Sequence, residues 1–237
     1  MLIPTQNDTF NLDSLSYASR YNAAIISDFI SALKIHTKAP LADLIDFGAG
    51  IGTLTQDLVP LAKSVIAVEP EKAYRDLLAT RCTRTVVSLS KIHSPVDAIF
   101  SSNVLEHIPN DGEMLDLFFQ KLNPGGLLFL YVPAIPFLYS EMDRAVGHVR
   151  RYRKIELQQK LVQAGFIPRT LEYRDAIGVA ASLWLKVQGN RSAHPSRSLI
   201  QFYDKWLFPA SQQLDKLGFS RIVGKNLLAV ATKPNLP

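Results

Sequence analysis

Between residues 13 and 33, apolar side chains recur at three- and four-residue steps: Ala18, Tyr21, Ile25, Phe29, Ile30 and Leu33. That spacing predicts an amphipathic helix, with Asp13 or Ser14 placed to cap it. The pattern then changes. Short apolar runs at 41–47, 64–69, 84–89, 96–102 and 127–132 are separated by helical stretches at 53–62, 71–80 and 111–122. Strands of this kind with helices between them predict a parallel sheet covered on both faces.

A second change follows residue 150. A helix is predicted over 151–164, closed by Gly165, and a strand over 170–175. Two apolar helical stretches come next, 176–187 and 198–217, the second interrupted by Pro209. A final strand is predicted over 226–232. The expected organisation is one α/β domain. It has a helical cap at 1–38, a core at 39–175, a helical insertion at 176–224, and a last strand and tail at 225–237.

Composition narrows the class. The chain has 237 residues, 47% hydrophobic and 20% charged, enough for one well-packed α/β domain. Cys82 stands alone, so no internal disulfide and no thiolate cluster can form; a reducing, cytoplasmic setting is expected. The first eight residues have neither the basic start nor the apolar run of a signal peptide. The longest apolar stretch, 125–139, is broken by Pro133 and Pro136 and is too short to span a membrane. The net charge of +5 leaves open a mildly basic surface or attraction to an anionic partner.

The candidate chemistry begins at the end of the first strand. Asp46-Phe47-Gly48-Ala49-Gly50-Ile51-Gly52 places three glycines in five positions, which lets backbone turn sharply and approach a ligand. The following helix aims free N–H groups at the same place. Glu69 ends the second strand, where a carboxylate can accept hydrogen bonds from a ribose diol. The spacing is G-x-G-x-G rather than the G-x-G-x-x-G of dinucleotide sites.

This pattern resembles the first motif of class I S-adenosylmethionine-dependent methyltransferases. The resemblance extends through Val68-Glu69-Pro70, through Asp97-Ala98-Ile99-Phe100-Ser101-Ser102-Asn103-Val104-Leu105-Glu106-His107-Ile108, and through Leu122-Asn123-Pro124-Gly125-Gly126. It implies a Rossmann-like, doubly wound, mostly parallel seven-stranded sheet with its last strand antiparallel. It implies S-adenosylmethionine as cofactor and S-adenosylhomocysteine as product. Asp46 is then expected near the methionine moiety, with Gly48, Ala49, Gly50 and Gly52 lining the nucleoside. Glu69, followed by Pro70, is expected on the ribose. Leu89 or Ser90 is expected near the adenine, although the match is poor there. Asn103 and Val104 are expected toward the methionine end. An N-terminal helix covers the cofactor in similar enzymes, which makes Tyr17, Arg20 and Tyr21 candidates; a packed surface helix is the alternative.

On the acceptor side, the protein must align a nucleophile, exclude water and remove a proton where the acceptor is not already an anion. His107 and His148 are the candidate bases. His148 lies in a Gly-His-x-Arg-Arg-Tyr stretch similar to one in bacterial methyltransferases. Arg144, Arg150, Arg151 and Arg153 either bind an anionic acceptor or pair with Glu141, Asp143 and Glu156. Phe137, Tyr139 and Tyr152 are expected to wall the pocket. His36, His93 and His194 are expected in loops or on the surface, and no His/Asp/Glu spacing suggests a metal site.

The insertion has three open readings. Trp184, Phe202 and Trp206 suit a lid over an apolar acceptor. Lys186, Arg191, Arg197 and Lys205 suit a helix on the inner membrane surface. The apolar stripe Leu199, Ile200, Tyr203, Trp206, Leu207, Leu214 and Leu217 also suits a homodimer interface. The expected function is methyl transfer to an oxygen, nitrogen or carbon of a small or lipid-linked biosynthetic intermediate. The alternatives are a cyclase or decarboxylase on the same scaffold, a nucleic-acid methyltransferase, and a non-catalytic partner subunit. Ser102-Asn103-Val104-Leu105 stands where nucleic-acid enzymes carry Asn/Asp-Pro-Pro-aromatic, which argues against the second.

Overall fold

Apolar runs buried on both faces build the centre of the molecule. The computed structural model describes residues 16–37, 40–188 and 196–235. Asp13, Ser14, Arg191 and His194 therefore lie outside the described residues. The elements are α1 (Ser19–His36), β1 (Leu41–Phe47), α2 (Thr55–Leu58), β2 (Ala62–Val68), α3 (Lys72–Leu78), β3 (Arg84–Val86), β4 (Val96–Ser102), α4 (Asp111–Lys121) and β5 (Leu122–Pro133). They continue through α5 (Glu141–Ala145), α6 (Lys154–Gln163), β6 (Ile167–Arg174), α7 (Ala176–Gln188), α8 (Arg197–Phe202), α9 (Phe208–Lys216) and β7 (Asn226–Thr232). The strand order is β3-β2-β1-β4-β5-β7-β6. The first five strands are parallel, and β7 runs antiparallel to both β5 and β6. The order reverses between β1 and β4, which opens a crevice beyond their carboxyl ends.

Alternate residues of the central strands feed two cores. Ile45, Ile99, Leu128 and Leu130 face one, while Leu44, Ala98, Phe100 and Phe129 face the other. Helix α1 seals the second core with Ile25, Ile26 and Phe29. The Phe29 ring sits edge-on to Phe100 at 5.2 Å and to Phe129 at 5.3 Å. Truncating it to alanine is expected to cost about 3–5 kcal/mol.

Several expected boundaries move for local reasons. The helix expected over 53–62 is α-helical only from Thr55 to Leu58 and tightens to a 3₁₀ turn at Val59–Leu61, where Pro60 has no N–H to give. The strand expected over 84–89 stops at Val86, and Leu89–Lys91 forms a 3₁₀ turn. Strand β6 begins at Ile167 rather than 170 and ends before Asp175, which has φ +66°.

Two departures shape the site. Helix α1 has no side-chain cap at Ala18. Its first-turn amides of Arg20 and Tyr21 instead donate to the Asp204 carboxylate at 3.0 and 2.9 Å. In the insertion, a π turn at Tyr203–Leu207 precedes Pro209. The wider turn accommodates the missing proline N–H and rotates the helical stripe. Phe208 becomes buried, whereas Trp206 is 61% and Leu217 79% exposed. Among the described residues, no helix is long and apolar enough to cross a membrane.

Candidate active site

The turn after β1 carries three left-handed glycines, Gly48 (φ +76°), Gly50 (φ +55°) and Gly52 (φ +85°). At Gly48 the requirement is steric as well as conformational, because a Cβ there would stand 2.3 Å from Val104 Cγ2. The turn is tied to β2 by the Gly48 amide donating to Val68 O at 2.9 Å. Glu69, 7% exposed, braces it from behind. One carboxylate oxygen accepts from the Gly50 amide and the other from the Glu71 amide, each at 2.9 Å. A carboxylate has about four acceptor positions, so capacity remains for a ligand diol. Burial raises the Glu69 pKa, against the opposing effect of these amides.

Asp46 stands at the mouth of the turn, 3% exposed. Thr55 donates its hydroxyl to Asp46 at 2.6 Å. Burial pushes the carboxyl pKa up to about 7, partly offset by Thr55 and reinforced by Glu69. A cleft opens here, lined by Asp46, Gly48, Ala49, Asn22, Ile25 and Asn103 among others. A second depression, around Ile30, Leu33 and Leu41, lies at the amino-terminal end of β1, away from this chemistry.

Among the described residues, three other than glycine have positive φ: Asn103 (+54°), Ile135 (+60°) and Asp175 (+66°). They follow β4, β5 and β6, so backbone strain concentrates at one edge of the sheet, as it does at functional sites. Asn103 is held by its amide donating to Tyr131 O at 2.7 Å. Its side-chain amide donates to Ser102 Oγ at 3.2 Å. Burial drives the Tyr21 hydroxyl far up.

Not every expected cofactor residue reaches the cleft. Leu89 belongs to the core and Ser90 is exposed, pairing with Ser88 at 2.7 Å. Pro70 is exposed and its carbonyl accepts from Arg75. The Tyr17 ring lies under Arg197, 4.1 Å from the guanidinium. Thr55 and Asn22 were not anticipated. Thr55 opens α2, where only the folded turn brings it onto Asp46, and Asn22 reaches the cleft from a different helix.

At the carboxyl ends of β4 and β5, the 3₁₀ turn Leu105–His107 meets the turn after α5. Val149 donates its amide to Glu106 O at 2.9 Å, joining them. Asp143 is the anchor. It pairs with Arg151 through two hydrogen bonds at 2.9 and 3.0 Å and with His148 Nδ1 at 2.8 Å. Although burial opposes it, His148 and Arg151 hold the Asp143 pKa at about 2. The His148 ring stands edge-on to His107, 4.7 Å between centroids. Burial and the neighbouring His148 lower His107 to about 4. Glu106 is fully buried, and burial raises it to about 8.

Of the two readings of the loop arginines, internal pairing holds for three of the four. Arg144 pairs with Glu141, Arg151 with Asp143, and Arg150 with Asp111 at 2.7 Å. Tyr152 is fully buried rather than lining a pocket, its hydroxyl donating to Asp111 at 2.9 Å. Tyr139 donates to His148 O at 2.7 Å and so supports the loop. Phe137 is 72% and Trp184 53% exposed, so these rings wall no closed acceptor pocket.

The fold and the glycine turn define a class I S-adenosylmethionine-dependent methyltransferase. The family described as "Methyltransferase domain" matches residues 16–171, and the chain belongs to it. A curated relative, the mitochondrial ubiquinone biosynthesis O-methyltransferase of Rattus norvegicus, is 31% identical over 101 residues, covering 37% of this chain and 29% of that protein. The chain thus spans under a third of that relative's length. Two solved S-adenosylmethionine-dependent methyltransferases share the fold. That of Clostridium acetobutylicum has TM-score 0.58 at 10% identity, covering 89% of this chain and 91% of its own. That of Mesorhizobium loti has TM-score 0.56 at 16% identity, covering 86% and 96%.

Proposed function

We propose that the enzyme transfers a methyl group from S-adenosylmethionine to an oxygen of a small or lipid-linked acceptor. The observation that carries this reading is the glycine turn braced by Glu69 beside buried Asp46. A buried carboxylate pushed toward neutrality suits a ligand that brings positive charge, as a sulfonium and an α-amino group do. The bound cofactor supplies the methyl group as an electrophile. Glu69 accepts the ribose hydroxyls with its remaining lone pairs. Asp46 stabilises the cationic end, Asn103 positions it, and Asn22 and Ile25 of α1 help exclude water. His148, oriented by Asp143, and His107 face the acceptor. The insertion α7–α9 completes the same single domain and caps the acceptor side.

Oxygen is favoured as the methylated atom by the name of the curated relatives, ubiquinone biosynthesis O-methyltransferases. A lipid-linked acceptor is favoured by the exposed rings of Trp184, Phe202 and Trp206, together with Lys205 over Trp206 and Lys186 over the exposed Phe137. The test is release of S-adenosylhomocysteine from the purified protein against a panel of hydroxylated aromatic acceptors with and without isoprenoid tails. Equimolar S-adenosylhomocysteine and methyl ether support the reading. An altered acceptor without S-adenosylhomocysteine assigns a non-methylating reaction instead.

A further inference from the structure

We propose that Glu106, His107 and His148 form a binding site for one borderline divalent transition-metal ion of the zinc type. Each residue offers one ligand atom, and these atoms all lie within 4.8 Å of one another. The fold brings them together from two loops at the same edge of the sheet. Glu106 and His107 sit on the turn after β4, and His148 sits just beyond Gly147 (φ +81°).

The independent observation is Glu106. Its side chain is fully buried, and neither carboxylate oxygen has a hydrogen-bond partner among the described residues. Native proteins seldom seal a carboxylate without donors, because the lost hydration is replaced by nothing. Arg151, the neighbouring cation, is already paired with Asp143 through two hydrogen bonds. A bound cation would supply what Glu106 lacks.

His148 is arranged as metal-bound histidines are. Its Nδ1 is hydrogen-bonded to Asp143 at 2.8 Å, which leaves Nε2 with its lone pair directed away. That Nε2 stands 3.6 Å from Glu106 Oε1. The separation is too long for a hydrogen bond. It is close to the edge of about 3.3 Å that ligand bonds of about 2.0–2.1 Å subtend in a tetrahedron. His107 supplies the third ligand, its ring edge-on to that of His148. Two imidazoles and one carboxylate suit zinc, its cobalt substitute or ferrous iron better than calcium, magnesium or manganese, which favour all-oxygen sets. Three protein ligands leave a position open, the arrangement of catalytic rather than structural sites. The role of that position in activating an acceptor hydroxyl rests on the methyl-transfer reading above; the binding of the ion does not.

The test uses untagged, chelator-stripped full-length protein titrated with Co²⁺, read by its visible absorption band, then displaced by Zn²⁺. The expected result is one saturable Co²⁺ per chain. Affinity falls at least about tenfold in Glu106→Gln and in His148→Gln, and by about 10–100-fold in the supporting variant Asp143→Asn. Circular dichroism and S-adenosylmethionine affinity are measured on each variant, so that misfolding is recognised. No saturable band from the wild-type protein overturns the proposal, as does binding unaltered in folded Glu106→Gln and His148→Gln. Metal binding without cofactor binding would count against the methyl-transfer reading alone, and cofactor binding without metal against this site alone.

Discussion

The Glu69 carboxylate accepts the Gly50 amide at 2.9 Å, so the acid just after β2 holds the turn that follows β1. The same group is proposed to hold the cofactor ribose, which couples the shape of the turn to the occupancy of the site. Glu69→Gln keeps the size of the side chain but weakens the bonds to Gly50 and Glu71. Hydrogen bonds to a charged group contribute about 1.5–3 kcal/mol each. Cofactor affinity should therefore fall about 10–100-fold, measured by calorimetry, with a smaller fall in melting temperature.

Asp46 makes a pH-dependent prediction. Its pKa in the folded protein is about 7, above the ordinary carboxylate value, chiefly because it is buried. The folded state then binds more protons than the unfolded chain between about pH 4 and pH 7, so this group lowers stability as pH rises through that window. Asp46→Asn should stabilise the ligand-free protein above pH 7, by at most about 4 kcal/mol, and change little near pH 4. Wild-type affinity for the cationic cofactor should weaken as pH falls below about 7. Melting curves and titrations at about pH 4, 7 and 8.5 check both.

Gly48 and Val104 make a paired prediction. Gly48→Ala drives a Cβ into Val104 and also strains a backbone at φ +76°. Trimming the partner in Gly48→Ala with Val104→Ala should remove the two severe methyl contacts, leaving a tight 3.1 Å approach to the Val104 Cβ, but not the backbone strain of about 1–2 kcal/mol. The double variant should recover part of the lost cofactor affinity. No recovery would mean that the dihedral, not the contact, sets the requirement.

Asp111 ties the acceptor-side loop to the core. It accepts from the Tyr152 hydroxyl and from Lys160 at 2.9 Å each, and pairs with Arg150 at 2.7 Å. Burial opposes ionisation, but Lys160, Arg150 and Tyr152 together hold its pKa below the ordinary value. Its stabilisation is present above the unfolded pKa near 3.9 and is lost as pH falls through the folded value. Asp111→Asn should destabilise by about 1–3 kcal/mol at neutral pH and flatten the acid limb of the stability curve. An unchanged acid limb would remove Asp111 from this role.

Features carried by neighbours in sequence are legible in the sequence itself. The parallel strands announce themselves as apolar runs, and the glycine turn with Glu69 needs only one strand-to-strand step. The pairings of Arg144 with Glu141 and Arg151 with Asp143 were among the alternatives because those partners are close in sequence. Arg150 chose Asp111 instead, which no local pattern reveals. The capping of α1 by Asp204 is equally hidden, since it joins opposite ends of the chain. The π turn at Tyr203–Leu207 rotates the insertion's stripe, so Trp206 faces out and Phe208 takes the buried place, a choice among the open readings that no local pattern makes. The Glu106, His107 and His148 cluster was invisible for the same reason as the Asp204 cap: its members meet only after β4 and β5 are paired.

The most direct test of the central claim is calorimetric titration of the purified protein with S-adenosylmethionine and, separately, with NAD. Micromolar binding of S-adenosylmethionine alone is expected, at one per chain, abolished in Asp46→Ala and strongly weakened in Glu69→Ala. Binding of NAD instead, or S-adenosylmethionine binding indifferent to both substitutions, would contradict the assignment of this cleft.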